Sequence, residues 1–513
     1  MRSKWWTLGV VLVATFMLLL DVTVVNVALP EIQRDLDASF TDLQWVVDSY
    51  ALALAATILI CGSLGDRFGH RRMFIGGLGV FVVASLASGL APDPLVLNVF
   101  RASQGLGGAA MLATSLALIA NAYEGRDRKL ALGAWGAATG ASVAIGPLVG
   151  GAVIDTLGWE WIFFVNVPIG LAALAITATR VGEYRDPNAS GRPDIAGLLT
   201  LSGALVALTL ALFEGNDNGW GSPLILGLFG GGAALLAAFV AIEARHPNPL
   251  LELSIWRKPT TAGASIAIYA VAAAAFALLL YLVLYVQNVL GYGPLTTGLI
   301  LLPLTVPSFL VAAVSGRVAG TVSVRLLVAV GLAVTGTGAL LMRLVEPGSD
   351  WPTLLAGSIV MGVGIGLVNP SVAAAAIGTV EPAKSGKASG LNSTFRLVGV
   401  ASGIAGLGAL FEHSISDSLE SALPQAPAQA VDAVAAGRLD QLAAQAPAGV
   451  RDTVLQAADV AFLSGLDAIF LASAVIAFVG AALAAVLIRA TDFVEPGNEL
   501  PSADGSIPAG HAA

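Results

Sequence analysis

The amino-acid sequence predicts an all-α polytopic membrane protein with fourteen transmembrane helices, and three observations carry that expectation. Of 513 residues, 56% are hydrophobic and only 12% are charged, against about 25% charged in an ordinary soluble domain. Apolar runs long enough to cross a hydrocarbon core of ~30 Å recur along the whole chain. The basic residues gather in every second connection between those runs.

The runs lie near 6–29, 43–63, 73–91, 94–121, 130–154, 162–180, 193–213, 221–243, 261–288, 295–315, 323–343, 352–378, 391–411 and 463–488. The first contains Asp21, is longer than the core of a signal peptide and has no convincing cleavage site, so it is expected to be a retained helix. An even number of spans puts both termini on one side, and Arg2 and Lys4 mark that side as cytoplasmic. Basic residues at 2, 4, 67, 71, 72, 126, 128, 129, 180, 185, 192, 245, 257, 258, 317, 325, 384, 387 and 489 then fall inside. Only Arg34, Arg343, Arg438 and Arg451 fall outside, with Arg101 and Arg396 within or at the edge of helices. A miscounted helix would scramble this asymmetry from that point on.

Two connections are long. Residues 412–462 form an outer insert, read as a spacer or lid with short amphipathic helices such as 428–443. Residues 490–513 are polar, with Pro and Gly, and are expected to be a disordered cytoplasmic tail. The net charge of −9 comes largely from these two segments and is not a field for acidic partners such as nucleic acid. If helices 7 and 8 are an insertion, the rest divides into six and six. The expected organisation is a bundle over 1–192, two inserted helices with a linker over 193–258, and a second bundle over 259–489. Ser315-Gly-Arg-Val-Ala-Gly320, ending at Arg325, reads as a degraded copy of a stretch in the first half, and repeated halves are the habit of secondary transporters.

That stretch is Gly62-Ser-Leu-Gly-Asp-Arg-Phe-Gly-His-Arg-Arg72, a glycine-rich basic link between two spans. Topology alone accounts for Arg67, Arg71 and Arg72, but not for Gly62, Gly65, Gly69 and Asp66 interleaved with them. Glycines let helix ends approach closely, and Asp66 fixes one negative charge among the arginines.

Charges at membrane depth are costly and face a bundle interior or a wet cavity. Asp21, Asp48 and Arg101 lie about 13, 8 and 10 Å below the outer ends of helices 1, 2 and 4 at 1.5 Å per residue, so pairing is possible. Asp21 is read as a proton-coupling acid, with a purely structural ion pair as the alternative. Asp48 is shallower, and a solvated acid at a helix end is its alternative. Arg101, with Gln104 on the same face, either pairs an acid or contacts substrate. Helix 5 carries Gly136, Gly140, Gly146, Gly150 and Gly151 with Pro147. Small residues allow close packing and proline bends the helix, so a tight seam is expected there.

Other chemistries are not indicated. Cys61 is the single cysteine, so no intramolecular disulfide is possible. His70, His246, His413 and His511 form no metal cluster, and no phosphate-binding loop or catalytic set is present. Neither an enzyme, a cofactor nor a metal is expected.

With these motifs in place, the sequence resembles the major facilitator superfamily and, within it, the fourteen-helix drug:proton antiporters, over nearly its whole length. Gly62–Arg72 matches the superfamily's loop 2–3 signature. Leu20-Asp21 through Pro30 is similar to the helix 1 signature of the antiporter branch, and Leu97-Asn-Val-Phe-Arg101-Ala-Ser-Gln104-Gly105 to its helix 4 signature. Gly140 with Gly146-Pro147-Leu-Val-Gly150-Gly151 resembles the helix 5 antiporter signature, and Trp161-Ile-Phe-Phe-Val-Asn-Val-Pro168 is typical of the branch.

The resemblance implies two six-helix bundles with two extra helices between them, a central cavity and alternating access. It implies proton coupling at Asp21 and Arg101, and a conformational latch at Asp66 that helps hold the outward-facing state. Some cation-exporting relatives carry acids in helix 10 or 13. Their absence from 295–315 and 391–411 favours amphiphilic, neutral or singly charged substrates.

The function expected is proton-coupled export of hydrophobic or amphiphilic small molecules, such as drugs or antibiotics, across the plasma membrane. Tyr50, Gln104, Tyr269, Tyr281 and Tyr285 are the candidates for the polar edge of the substrate cavity. The partners expected are a small-molecule substrate, protons and the bilayer, with the protein working as a monomer. An uptake symporter of the same fold is the nearest rival, and a membrane receptor or scaffold is the rival from another class.

Overall fold

The computed structural model describes residues 2–123, 125–185, 194–247, 249–250, 258–318, 322–380, 385–423, 429–438 and 451–493, and over these it is all-helical. The long helices are α1 (Arg2–Leu36), α2 (Phe40–Phe68), α3 (His70–Ser88), α4 (Pro94–Ala122), α5 (Gly125–Leu157), α6 (Trp161–Arg180) and α7 (Ile195–Phe213). They continue as α8 (Pro223–Glu243), α9 (Pro259–Val289), α10 (Pro294–Val318), α11 (Val324–Met342), α12 (Leu355–Gly378), α13 (Ser385–Ala422) and α14 (Arg451–Leu487). Twelve of them are long and apolar enough to cross a membrane, and α2 makes a thirteenth when the parts flanking its 50° bend are taken together. The glycine-rich α5 is the remaining long helix. Starts are marked by residues that satisfy free backbone amides: Ser39 and Asp42 in a capping box at α2, Asp93 before Pro94 at α4, and Asp194 at α7.

Two connections differ from the sequence expectation. Most of 62–72 is helical: α2 runs to Phe68, α3 begins at His70, and only Gly69 separates them. Gly69 sits at φ 107°, where a side chain is strained, and a Cβ would meet the Glu183 carboxyl carbon at 2.6 Å. The 412–462 insert is also more helical than its falling hydropathy suggests. After residue 411, α13 continues to Ala422 because Ile415 and Leu419, one turn apart, stay buried while Asp417 and Ser421 face out. From the other side α14 starts already at Arg451. Between them Gln429–Ala435 is a short helix, and the rest of the expected 428–443 helix lies largely outside the described residues. Residues 319–321 of the degraded copy, and the tail from 494, also lie outside them.

The helices pack in two groups. In one, α2 and α3 pack on α4, α1 on α5 and α4, and α3 on α6; in the other, α10 and α11 pack on α12, and α9, α11 and α13 on α14. The groups meet where α5 lies on α10 and α2 on α13. Counting α9 as the first helix of the second group, each seam joins a second helix to a fifth. A two-fold relation between the halves produces that reciprocal pattern. The pair α7 and α8 flanks the α2–α13 seam, with α7 against both helices of the seam.

Helix α9 is the most enclosed span, with 83% of its apolar window buried. It contains two π-helical turns, Ala272–Phe276 and Tyr285–Val289. Such turns insert one extra residue and re-aim the side chains beyond them. Gly399 and Gly403 of α13 permit the close approach to α9: a Cβ at either would meet Tyr269 or Ala273 backbone at 2.7 Å.

Hydrogen bonds that cross between the groups cluster at the end where α1 gives way to α2 and α9 to α10. Gln287 Nε2 donates to Val27 O at 2.8 Å, Asn288 Nδ2 to Gln33 Oε1 at 3.2 Å, and Gln44 Nε2 to Ile404 O at 3.4 Å. These bonds tie the two groups together at that end.

Candidate functional site

Asp21 lies at mid-length of α1 and is 4% exposed; Arg101 on α4 is 1% exposed. Their side chains meet, Nη1 to Oδ2, at 2.5 Å. The other Asp21 oxygen accepts from Asn166 Nδ2 of α6 at 3.0 Å and from Gln104 Nε2 at 3.4 Å. Arg101 is held from several sides: Nη1 donates to Gln104 Oε1 at 2.9 Å and Nε to Val46 O at 3.1 Å. Its guanidinium lies 4.5 Å from the Tyr50 ring centroid and 5.7 Å from that of Phe163. Ser85 of α3 accepts from Gln104 Nε2 at 2.7 Å. Helices 1, 2, 3, 4 and 6 thus converge on one buried ion pair, and both carboxylate oxygens of Asp21 have partners.

This satisfies the condition under which a buried pair is tolerated, because desolvation of two ions is offset only when remaining donors and acceptors are also bonded.

Sequence reasoning reaches Asp21, Arg101 and Gln104 but not Asn166 or Ser85. Asn166 stands inside the Trp161–Pro168 stretch, which is its one signal. Ser85 has none, since a serine in a helix is ordinary.

Asp48 does not join the pair. It is 0% exposed, neither carboxylate oxygen has a hydrogen-bond partner, and it lies on α2, which lines the seam with α13. The solvated helix-end reading is therefore excluded. The reason is that α2 starts at Phe40, so residue 48 sits two turns inside the helix rather than near its mouth.

Of the cavity candidates, Tyr50, Gln104, Tyr281 and Tyr285 are each 2% exposed or less. Tyr50 packs on Arg101, Tyr281 donates to Ile404 O at 2.7 Å, and Tyr285 to Ser349 O at 3.4 Å. Tyr269 alone is half-buried, its hydroxyl 2.9 Å from Ser402 Oγ.

The residues 62–72 are bound to the end of α6 and the stretch of chain that follows it. Arg71 donates to the carbonyls of Thr177 and Ala178, and its backbone N–H to Glu183 Oε1 at 3.0 Å. Glu183 also pairs with Arg72 at 3.6 Å. Asp66 Oδ1 lies 3.1 Å from His70 Nε2, and the His70 ring, buried at 3% exposure, stacks on Tyr184 at 5.7 Å. The sequence places His70 in a loop; its position at the first turn of α3 buries it instead. Gly65 is required here, since a Cβ would meet His70 Nδ1 at 2.9 Å. Gly62 and Arg67 continue the same end of α2.

Helix 5 supplies the third element. Gly146 and Gly150 face α1, where a Cβ would meet Thr23 Cβ at 2.7 Å and Val24 Cγ1 at 3.0 Å. Gly151 faces α10 across the seam, where a Cβ would meet Leu295 Cα at 2.8 Å, and Gly298 of α10 faces the Pro147 carbonyl in return. Gly140 lies outside the residues whose surroundings are described.

The sequence profile of the Major Facilitator Superfamily matches residues 11–404. The chain is 33% identical over 490 residues, 94% of its length, to the tetracenomycin C resistance and export protein of Streptomyces glaucescens, covering 91% of that protein. It is 36% identical over 412 residues, 78% of its length, to the puromycin resistance protein pur8 of Streptomyces alboniger, covering 80% of it. It is 35% identical over 426 residues, 83% of its length, to the multidrug resistance protein Stp of Mycobacterium tuberculosis, covering 79% of it. Among solved structures, a bacterial homologue of the human lysosomal transporter Spinster, inward-facing and unoccupied, superimposes with a TM-score of 0.62. That match covers 96% of this chain and 99% of the other at 15% identity, a likeness of fold.

Proposed function

The chain belongs to the Major Facilitator Superfamily, a class of membrane transporters rather than enzymes, and on that premise we propose that it exports hydrophobic or amphiphilic small molecules in exchange for protons. The relatives named for resistance and export support the direction and the substrate class. The observation that carries the coupling is the Asp21–Arg101 pair: a carboxyl buried on an arginine at mid-length of α1, in a bundle whose two groups are tied together at the end this reading takes as the outer one.

The cycle follows from that placement. With the outer end open, Asp21 takes a proton, its attraction for Arg101 falls, and the contacts tying α1 to α4 and α6 loosen. Return to the inward-open state exposes Asp21 to the cytoplasmic side, where binding of a substrate and loss of the proton go together. One cavity serves both fluxes, and neither crosses without the other. Asp48, enclosed and unpaired at the α2–α13 seam, is a second acid able to carry a proton when that seam opens.

The division into bundles at 1–192 and 259–489 around an inserted pair at 193–258, the cytoplasmic placement of both termini, and action as a monomer in the plasma membrane are part of the same proposal. The absence of acids from 295–315 and 391–411 favours neutral or singly charged compounds.

A drug-susceptibility panel in an efflux-deficient bacterium tests the reading. The wild-type protein is expected to raise resistance to several apolar or amphiphilic compounds, and Asp21→Asn to abolish that resistance at equal membrane level. Resistance unchanged by Asp21→Asn removes the coupling role.

Residues 62–72 enter as a latch remote from substrate. With Asp66 on His70 and the outer end closed, the latch is bonded within its own bundle. Asp66→Asn is expected to slow export about tenfold, the effect of a bias of about 1–2 kcal/mol between two states, while substrate affinity stays within about twofold. Initial export rates set beside equilibrium binding check this; equal losses in both contradict it.

A further inference from the structure

The outer segment 429–438 is separated from α1 and α2 by almost the whole chain, yet it docks on both. Its short helix, Gln429–Ala435, and the residue after it bury Ala430, Val434, Ala435 and Ala436 at 1% exposure or less in the core that also holds Phe40, Tyr281 and Phe411. Asp432 Oδ1 accepts the backbone N–H of Phe40 at 3.2 Å. That amide is the first of α2, one of the donors a helix cannot satisfy from within, and a carboxylate is favoured at this end by the helix dipole. Ser39 serves the Asp42 amide of the same turn, so the cap of α2 is shared between its own N-cap residue and a residue from across the bundle boundary.

Arg438 completes the dock. It reaches back to Asp432 Oδ2 at 3.2 Å and across to Asp37 Oδ1 at 3.4 Å. Gly437, at φ 72°, turns the chain so that Asn288 of α9 can donate to Ala436 O at 2.9 Å; a Cβ at Gly437 would meet Asn288 Cβ at 2.5 Å. Asn288 also holds Gln33 of α1. The segment therefore bonds at once to the α1–α2 turn of the first group and to the outer end of α9 in the second.

We propose that residues 430–438 form a clasp that holds the outer end shut, with Asp432 and Arg438 as positioning residues whose release sets how often the transporter opens outward. This rests on alternating access but not on the direction of transport or on proton coupling. When the outer end parts, Phe40 N–H must exchange Asp432 for water, and the apolar face of the short helix must leave its seat or stay with one side. The Asp37–Arg438 pair, exposed at Asp37, is the weaker half of the clasp. The Asp432–amide bond and the buried alanine–valine face are the stronger half.

The test reads opening directly, without substrate. Gln44 of α2 is 2% exposed, bonds across the seam to Ile404 and is not part of the clasp. In full-length protein with Cys61→Ser, Gln44→Cys is labelled from outside intact cells with a membrane-impermeant maleimide. Slow labelling is expected in the otherwise unaltered chain. Asp432→Ala is expected to raise the rate about tenfold, the effect of one lost charge-assisted hydrogen bond on a two-state equilibrium. Gly437→Leu, which displaces the segment by a different route, should raise it as well, and Arg438→Lys should keep most of the protection. Unchanged labelling in Asp432→Ala and Gly437→Leu, at normal membrane levels, overturns the clasp and makes the segment a passive spacer. Faster labelling with failure of the drug panel leaves the clasp standing and sinks the export reading instead.

Discussion

Arg101→Ala is expected to abolish export and to lower the amount of folded protein in the membrane more than Asp21→Asn does. The asymmetry comes from what each change leaves behind. Removing the arginine strands a carboxylate among α1, α4 and α6 with only Asn166 and Gln104 as donors. Breaking a buried pair from one side costs about 3–5 kcal/mol, unless the survivor gives up its charge. Asp21 can do so by keeping a proton, which is expected to rescue some folding while stalling the coupling step proposed for it. Asp21→Asn keeps the shape and leaves Arg101 with Gln104, Val46 O and the Tyr50 ring. The double variant Asp21→Asn with Arg101→Gln is expected to recover yield but not transport. Membrane yield, thermal stability in detergent and export measured on the three proteins decide it. Arg101→Ala with wild-type yield and transport contradicts the account.

The second large effect is expected at the α5–α10 seam. Gly151→Leu places a side chain where the Pro294 carbonyl and Leu295 Cα already stand, and backbone cannot move aside as a flexible side chain does. The outer end can then close only by displacing α10. Overpacking costs of about 1–3 kcal/mol translate into a shift of roughly 5- to 150-fold toward the outward-open state. Export should fall accordingly, and the Gln44→Cys probe should become open to external maleimide. Gly136 of the same helix has nothing within 4 Å of its Cβ position, so Gly136→Ala is expected to be silent in both measurements. A silent Gly151→Leu contradicts the role given to this seam.

The helical spans are legible in the sequence because a bilayer demands long apolar runs and alternate basic connections, signals that need no knowledge of packing. Asp21 and Arg101 are legible for the related reason that a charge at depth needs a partner. What the partner shell contains is not. Asn166 and Ser85 are neutral, and neutral polar residues occur in helices without special cause. Hydropathy also misjudges where helices stop: past residue 411 and before 463 the chain turns amphipathic, so apolar content drops while the backbone of α13 and α14 stays helical. The ties of residues 66–72 to Glu183 and Tyr184, and of Phe40 to Asp432, join distant parts of the chain through single polar groups, and nothing in the local pattern announces them.

The central claim is that one buried carboxyl exchanges a proton for substrate. It is tested most directly by following pH in a weakly buffered solution of purified protein as a compound from the susceptibility panel is added. The account predicts a stoichiometric release of protons on substrate addition by the wild-type protein and none by Asp21→Asn, although the variant still binds the compound. Equal proton release from Asp21→Asn, or binding by the wild-type protein without any release, would contradict it.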